Sequence, residues 1–322
     1  MKLIRTLLGT ALCLATSAAL AQARWDMPTP YPETNFHTKN IKQFVDEVNA
    51  GAAGKLVITV QSNGSLIKHP DIKRAVQTGQ VPIGEVLISV LANESPLYAF
   101  DSTPFLADSY DESRKLWAAA RGPLVRRLDS QGINLLYSVA WPPQGIYTKK
   151  PIESVADLKG TKFRTYSPTT SRFAELMGAV PTTVQVPEVP QAFRTGLVDA
   201  MITSGSTGVD TQAWDYLTHY YDVQAFLPQN MVIVNKEALG KLDAATQKLV
   251  LDAAARAEKR GWDASVAEND RVVKIMADKG IKVVQPSAKL KAELGAIGKQ
   301  MSDEWVKRAG ADGEAIISAY RK

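Results

Sequence analysis

The stretch "DLKGTKFRTYSPTTSRFAELMGAVPTTVQV", Asp157 to Val186, decides how the chain is read. Phe163 to Tyr166 alternate like a strand. Ser167 and Pro168 then open a helix, the serine as N-cap and the proline at the first helical position. "TTVQV" is the next strand. Strand, helix and strand in this order build a parallel sheet with helices on its faces. Arg164 is the odd residue, a cation near the end of a strand where apolar or β-branched residues are usual. It reads two ways. It is a solvated surface charge, or it is a guanidinium placed for an anion. A guanidinium is a planar fork of donors that matches a carboxylate bidentately, and the helix start beside it adds amide donors and a positive dipole end.

The same grammar extends in both directions. Upstream, "RWDMP" is a short strand, and Phe36, Ile41, Phe44, Val45 and Val48 follow helical spacing. "GKLVITVQ" is a strand, "HPDIKRAVQTG" a short helix capped by Gly79, and "VPIGEVLIS" a third strand. A helix over 111–130 and the strand "INLLYSVAW" follow. "AWPPQGIY", Ala140 to Tyr147, is a crossing between two lobes, stiffened by two prolines. Within it Trp141 is either a core plug or an aromatic wall for a ligand. Downstream come the helix "PEVPQAFRTG" and the strand "LVDAMIT". Ala75–Val81 and Ala192–Val198 are similar, each a helix end, a glycine cap and a strand start. They are either a generic corner used twice or the mark of two lobes built alike. "QNMVIVNKEAL" is another strand, and from about Leu242 a helix runs for more than ~35 residues, long for a globular protein, with Gly261 as the expected bend. "IKVVQP" and a closing helical segment end the chain.

Composition narrows the function. The chain has 322 residues with 45% hydrophobic and 22% charged, ordinary for a globular protein with a real core. Residues 1–21 read as a secretory signal peptide, with Lys2 and Arg5, an apolar run from Leu7 to Leu20, and small residues at the cleavage positions. That run is shorter than the ~20 residues of a spanning helix, and no later segment is longer and more apolar. Cys13 is the only cysteine and lies in the leader, so the mature chain holds no disulfide, thiolate metal site or cysteine nucleophile. The formal charge of +5 falls to +3 without Lys2 and Arg5, and no basic run carries interleaved aromatics, which argues against nucleic acid. His37, His69 and His219 share no ligand-like spacing and read as surface or capping residues. "TSGSTG", Thr203 to Gly208, lacks the lysine of a phosphate-binding loop and the pattern of a nucleophile elbow. It follows a strand, where open α/β sheets bind ligands.

"PIESVADLKGTKFRTYSP", "FAELMGAVPTTV", "PEVPQAFRTGLVDA" and "NMVIVNKEALGKLDAATQKLVLDAA" together resemble the solute-binding proteins of tripartite ATP-independent periplasmic (TRAP) transporters. The resemblance runs over nearly the whole mature chain. It implies an α/β, two-lobe periplasmic-binding-protein fold with hinge strands and a long bracing helix. The lobes implied are 24–141 with 231–269, and 142–230 with 270–322. The function implied is capture of a small organic acid in the periplasm, without cofactor, and its delivery to TRAP membrane subunits that form a sodium-driven symporter. The arginine that grips the ligand carboxylate in that family falls on Arg164. Gln144, Thr203 and Ser204 are the expected orienting groups, Trp141 the expected stacking surface, and Thr29 the contact from the opposite lobe. Three departures shape the ligand. Gln144 stands where many acid binders have a second arginine, Thr203 where polar-ligand members have Asn, and apolar Leu87 near the place of a Glu. These imply a monocarboxylate with an apolar or aromatic body, such as a 2-oxo or 2-hydroxy acid, with dicarboxylates and sugar acids as alternatives. A secreted enzyme on small carboxylic acids, or a binding protein of another periplasmic system, are the competing readings.

Overall fold

A computed structural model describes residues 22–322. The leader expected over 1–21, with Cys13, lies outside the described residues. The chain first lays down β1 (Ala23–Pro28), α1 (Phe36–Gly51), β2 (Leu56–Gln61), α2 (Ile72–Gln77), β3 (Ile83–Leu87), α3 (Tyr110–Asp129) and β4 (Ile133–Ala140). It then builds β5 (Gln144–Thr148), β6 (Lys162–Thr165), α4 (Pro168–Leu176), β7 (Val180–Thr183), α5 (Val189–Arg194), β8 (Ala200–Ser204), α6 (Gly205–Asp210) and β9 (His219–Tyr221). It returns through β10 (Gln229–Asn235) and α7 (Lys236–Gly240), and closes with α8 (Ala244–Asp278), β11 (Lys282–Val284) and α9 (Ala288–Tyr320).

The sheets are mixed rather than wholly parallel, a correction to the sequence expectation. β1 and β2 pair in parallel, but β10 inserts antiparallel between β3 and β4. The other sheet runs β11-β9-β5-β8-β6-β7, with β5 antiparallel to both neighbours. β7 starts at Val180, two residues before the expected strand. Where the chain crosses, the segments near 141–144 and 225–228 run side by side, tied by Trp141 N–H to the Pro228 carbonyl at 2.8 Å and Ala225 N–H to the Gln144 carbonyl at 2.9 Å.

Local chemistry explains the helix starts. Ser167 accepts from Thr170 N–H at 3.2 Å, and Pro168 sits in the first turn of α4. Asp243 caps α8 the same way through Thr246. α8 packs on α1 and β4 in the first part of the molecule and on α6 and β11 in the second, so it braces both. α9 contacts α4 and also α3, and Trp305, Ile316 and Ile317 share a core with Trp117 and Leu124.

Gly261 does not interrupt α8, which runs as one helix from Ala244 to Asp278. It lets α8 approach β4 and α1: a Cβ there would lie 2.4 Å from Val139 Cγ2 and 2.7 Å from Asn40 Nδ2. Asn40 cannot yield easily, because it donates to the Ala257 carbonyl at 2.9 Å and accepts from Arg260 at 2.8 Å. Alanine gains ~1 kcal/mol of helix propensity, but overpacking costs ~1–3 kcal/mol. Gly261→Ala therefore lowers stability; a higher urea midpoint for the variant would show that the overlap relaxes freely.

A candidate carboxylate-binding cavity

The cavity lies at one end of the second sheet, where the carboxyl ends of β6 and β8 meet the start of β5. Strand register sets this: Arg164 lies opposite Met201, Gln144 opposite Ser204 and Gly145 opposite Thr203. The cavity is lined by Arg164, Gln144, Thr203, Ser204 and Thr207 from this side, by Trp141 and Pro228 from the crossing, and by Tyr31, His69 and Leu87 from the first part. Tyr166, Gln185 and Val186 complete the lining.

Arg164 is 1% exposed. Its Nε donates to the Val184 carbonyl at 2.9 Å, which fixes the plane of the fork. The Tyr166 ring lies under the guanidinium, 5.1 Å from Cζ to centroid. Among the described residues, Nη1 and Nη2 have no hydrogen-bond partner. Burial pulls the guanidinium down to about 10, with the Tyr166, Tyr216 and Tyr31 hydroxyls opposing, so it stays charged at neutral pH. A buried cation with two unused donors is costly unless an anion meets it. A carboxylate is a group that fits two parallel N–H bonds, as a phosphate also does.

The structure brings Arg164, Gln144, Thr203, Ser204 and Trp141 to one cavity. Gln144 is tied to protein at both ends, Nε2 donating to the Pro142 carbonyl at 2.9 Å and Oε1 accepting from Tyr166 O–H at 3.0 Å. Ser204 Oγ accepts from Thr207 N–H at 3.2 Å as the cap of α6. Trp141 stands edge-on to Tyr31, their centroids 4.8 Å apart. Thr29 is a correction. It is buried one layer behind the lining, with its hydroxyl bonded to Glu85.

The histidines also depart from expectation, since all three are buried: His37, His69 and His219. His69 joins the two parts across the cavity. Its Nε2 accepts from Leu87 N–H at 3.1 Å, so Nδ1 carries the proton donated to Gln185 Oε1 at 3.0 Å. Burial above all lowers His69 to about 4. His69 begins a 3-10 turn that leads into α2, and Gln185 directly precedes the 3-10 turn that leads into α5. The repeated corners lie at the other ends of α2 and α5, where Gly79 and Gly196 both have positive φ. A second bond between the parts joins Asn35 Nδ2 to Asp210 Oδ2 at 2.6 Å.

Sequence reasoning missed Tyr31, His69, Tyr166 and Gln185, while Thr207 lies in the "TSGSTG" segment it had placed where ligands bind. Tyr166 had a signal, two residues past Arg164 and so on the same face of the strand. Among the described residues no cluster of three or more His, Cys, Asp or Glu is arranged for a metal, and no helix is long and apolar enough to cross a membrane.

Residues 29–308 match bacterial extracellular solute-binding protein, family 7 (DctP). The chain is similar to the Bordetella pertussis extracytoplasmic solute receptor DctP7 binding pyroglutamic acid, at 56% identity over 93% of this chain and 100% of that one, TM-score 0.92. It is also similar to DctP6 of the same organism, likewise binding pyroglutamic acid, at 50% identity over 93% and 99%, TM-score 0.92. A marine metagenome TRAP solute-binding protein specific for pyroglutamate shares 42% identity over 93% and 99%, TM-score 0.91.

Proposed function

The chain belongs to bacterial extracellular solute-binding protein family 7, and from that premise we propose that it captures pyroglutamate or a closely similar cyclic monocarboxylate through Arg164. The observation that carries this reading is the buried guanidinium whose Nη1 and Nη2 have no partner among the described residues. The ligand carboxylate takes those two donors. Gln144 holds Tyr166 beneath the guanidinium, and Thr203 and Thr207 offer hydroxyls to the lactam amide. Ser204 supports Thr207 rather than the ligand. Leu87, Val186, Pro228 and the Trp141 edge cover the ring methylenes.

The relatives' ligand supports the monocarboxylate inferred from Gln144 and Leu87, and replaces the 2-oxo or 2-hydroxy acid with a lactam. The similar proteins are receptors, which favours binding over turnover. The protein works in the periplasm, with residues 24–141 and 231–269 as one lobe and 142–230 and 270–322 as the other. The end of α9 is the exception, strapped onto the first lobe's core. The lobes close over the acid, and the closed form docks on TRAP membrane subunits, where a sodium gradient drives import. A thermal-shift screen tests the ligand: pyroglutamate raises the melting midpoint more than succinate, glucuronate or phenylpyruvate. A larger shift with a dicarboxylate or sugar acid would refute the assignment.

A further inference from the structure

Behind the cavity wall lies a polar network that ligand capture does not use directly. Glu85 is 1% exposed. It shares a face of β3 with Leu87, two residues on, which lines the cavity. Its Oε2 accepts from the Thr29 hydroxyl, and its Oε1 accepts from Asn230 Nδ2 at 2.7 Å. Asn230 Oδ1 in turn accepts from Trp141 Nε1–H at 2.9 Å and from Tyr31 O–H at 3.2 Å. Asn230 sits opposite both Leu87 and Val139 in the ladder, and its carbonyl accepts from Ser138 Oγ at 2.9 Å, so its backbone is fixed.

We propose that Glu85 and Asn230 are positioning residues for the ligand site: Glu85 orients the Asn230 amide, whose carbonyl oxygen then holds Tyr31 and Trp141 as one rigid wall. An amide side chain has two unlike ends, and an indole N–H only donates. The carbonyl must therefore face Trp141, and the NH₂ end needs an acceptor behind it, which Glu85 supplies. The two rings stand edge-on to each other, their centroids 4.8 Å apart. The other groups facing Glu85 are His37, whose Nδ1 is 3.5 Å from Oε1, and the Tyr31 and Tyr137 hydroxyls. This inference rests on the cavity being the ligand site.

Calorimetric titration with pyroglutamate at pH 8 tests it, using wild type, Glu85→Gln, Asn230→Asp and the double variant. Glu85→Gln keeps an acceptor for Asn230 and a donor for Thr29, and binds within ~3-fold of wild type. Asn230→Asp sets two carboxylates face to face and weakens binding ~10-fold or more. In the double variant the new glutamine N–H donates to the new aspartate, the total charge is that of wild type, and affinity returns to within ~3-fold. Loose packing alone would not be rescued by exchanging donor and acceptor. Asn230→Asp binding like wild type, or a double variant as weak as Asn230→Asp, overturns the proposal. Should Asn230→Asp not fold, the double variant decides, with recovery in support and a ~10-fold loss against. If wild type takes up pyroglutamate and Arg164→Ala does not, a neutral Asn230→Asp removes only this inference. If wild type binds none of the acids, the proposed function falls and this inference with it.

Discussion

Arg164→Ala binds pyroglutamate at least ~100-fold more weakly than wild type, while the unliganded variant melts within a few degrees of it. Each charge-assisted hydrogen bond is worth about 1.5–3 kcal/mol, so losing two removes ~3–6 kcal/mol. A 100-fold change needs only ~2.7 kcal/mol. Stability behaves differently. The side chain donates once to protein, from Nε to the Val184 carbonyl, and lies over Tyr166. Alanine gives up those contacts but also removes a buried charge without a protein partner, a burden of several kcal/mol. The two effects oppose each other. Arg164→Lys restores the charge but not the fork, and recovers only part of the affinity. Calorimetry and thermal melts read both halves; unaltered affinity in Arg164→Ala would remove the arginine from the site.

With the proposed closure over the acid, His69 by itself weakens binding in acid, about 30-fold between pH 8 and pH 5. Closed over the cavity, His69 accepts from Leu87 N–H and donates to Gln185, so a proton on Nε2 would face another donor. Burial holds it at about 4 in this form, against ~6.5 for a solvated imidazole. A depressed histidine favours the closed form above the open-state value, and that preference is lost as pH falls from ~6.5 toward 4. Asp210, raised by its burial between the two parts, pushes the other way. The His69 share is therefore the difference between wild type and His69→Asn, whose profile is flatter. Identical profiles for the two proteins between pH 5 and 8 would reject the mechanism.

Much of this was legible in the sequence because local rules carried it. Ser167 and Pro168 announced α4, and the cation three residues ahead of Ser167 lies in the cavity. Trp141 stood out at the crossing and Thr203 and Ser204 after a strand, while Gln144 came only from the family resemblance. What escaped depends on partners distant in sequence. Nothing local in "QNMVIVN" says that β10 inserts between β3 and β4. Without that pairing, Asn230 has no link to Glu85, Trp141 or Tyr31. Histidine burial escaped for the same reason, since the partners of His69 lie 18 and 116 positions away. Gly261 looked like a flaw in a long helix because its neighbours, Val139 and Asn40, come from other elements.

A crystal structure of the protein with pyroglutamate tests the central claim most directly. The account predicts the ligand carboxylate at ~2.7–2.9 Å from both Nη1 and Nη2 of Arg164, with the ring against Trp141. A bound acid whose carboxylate is held by other residues, with the guanidinium turned away from it, would contradict the account.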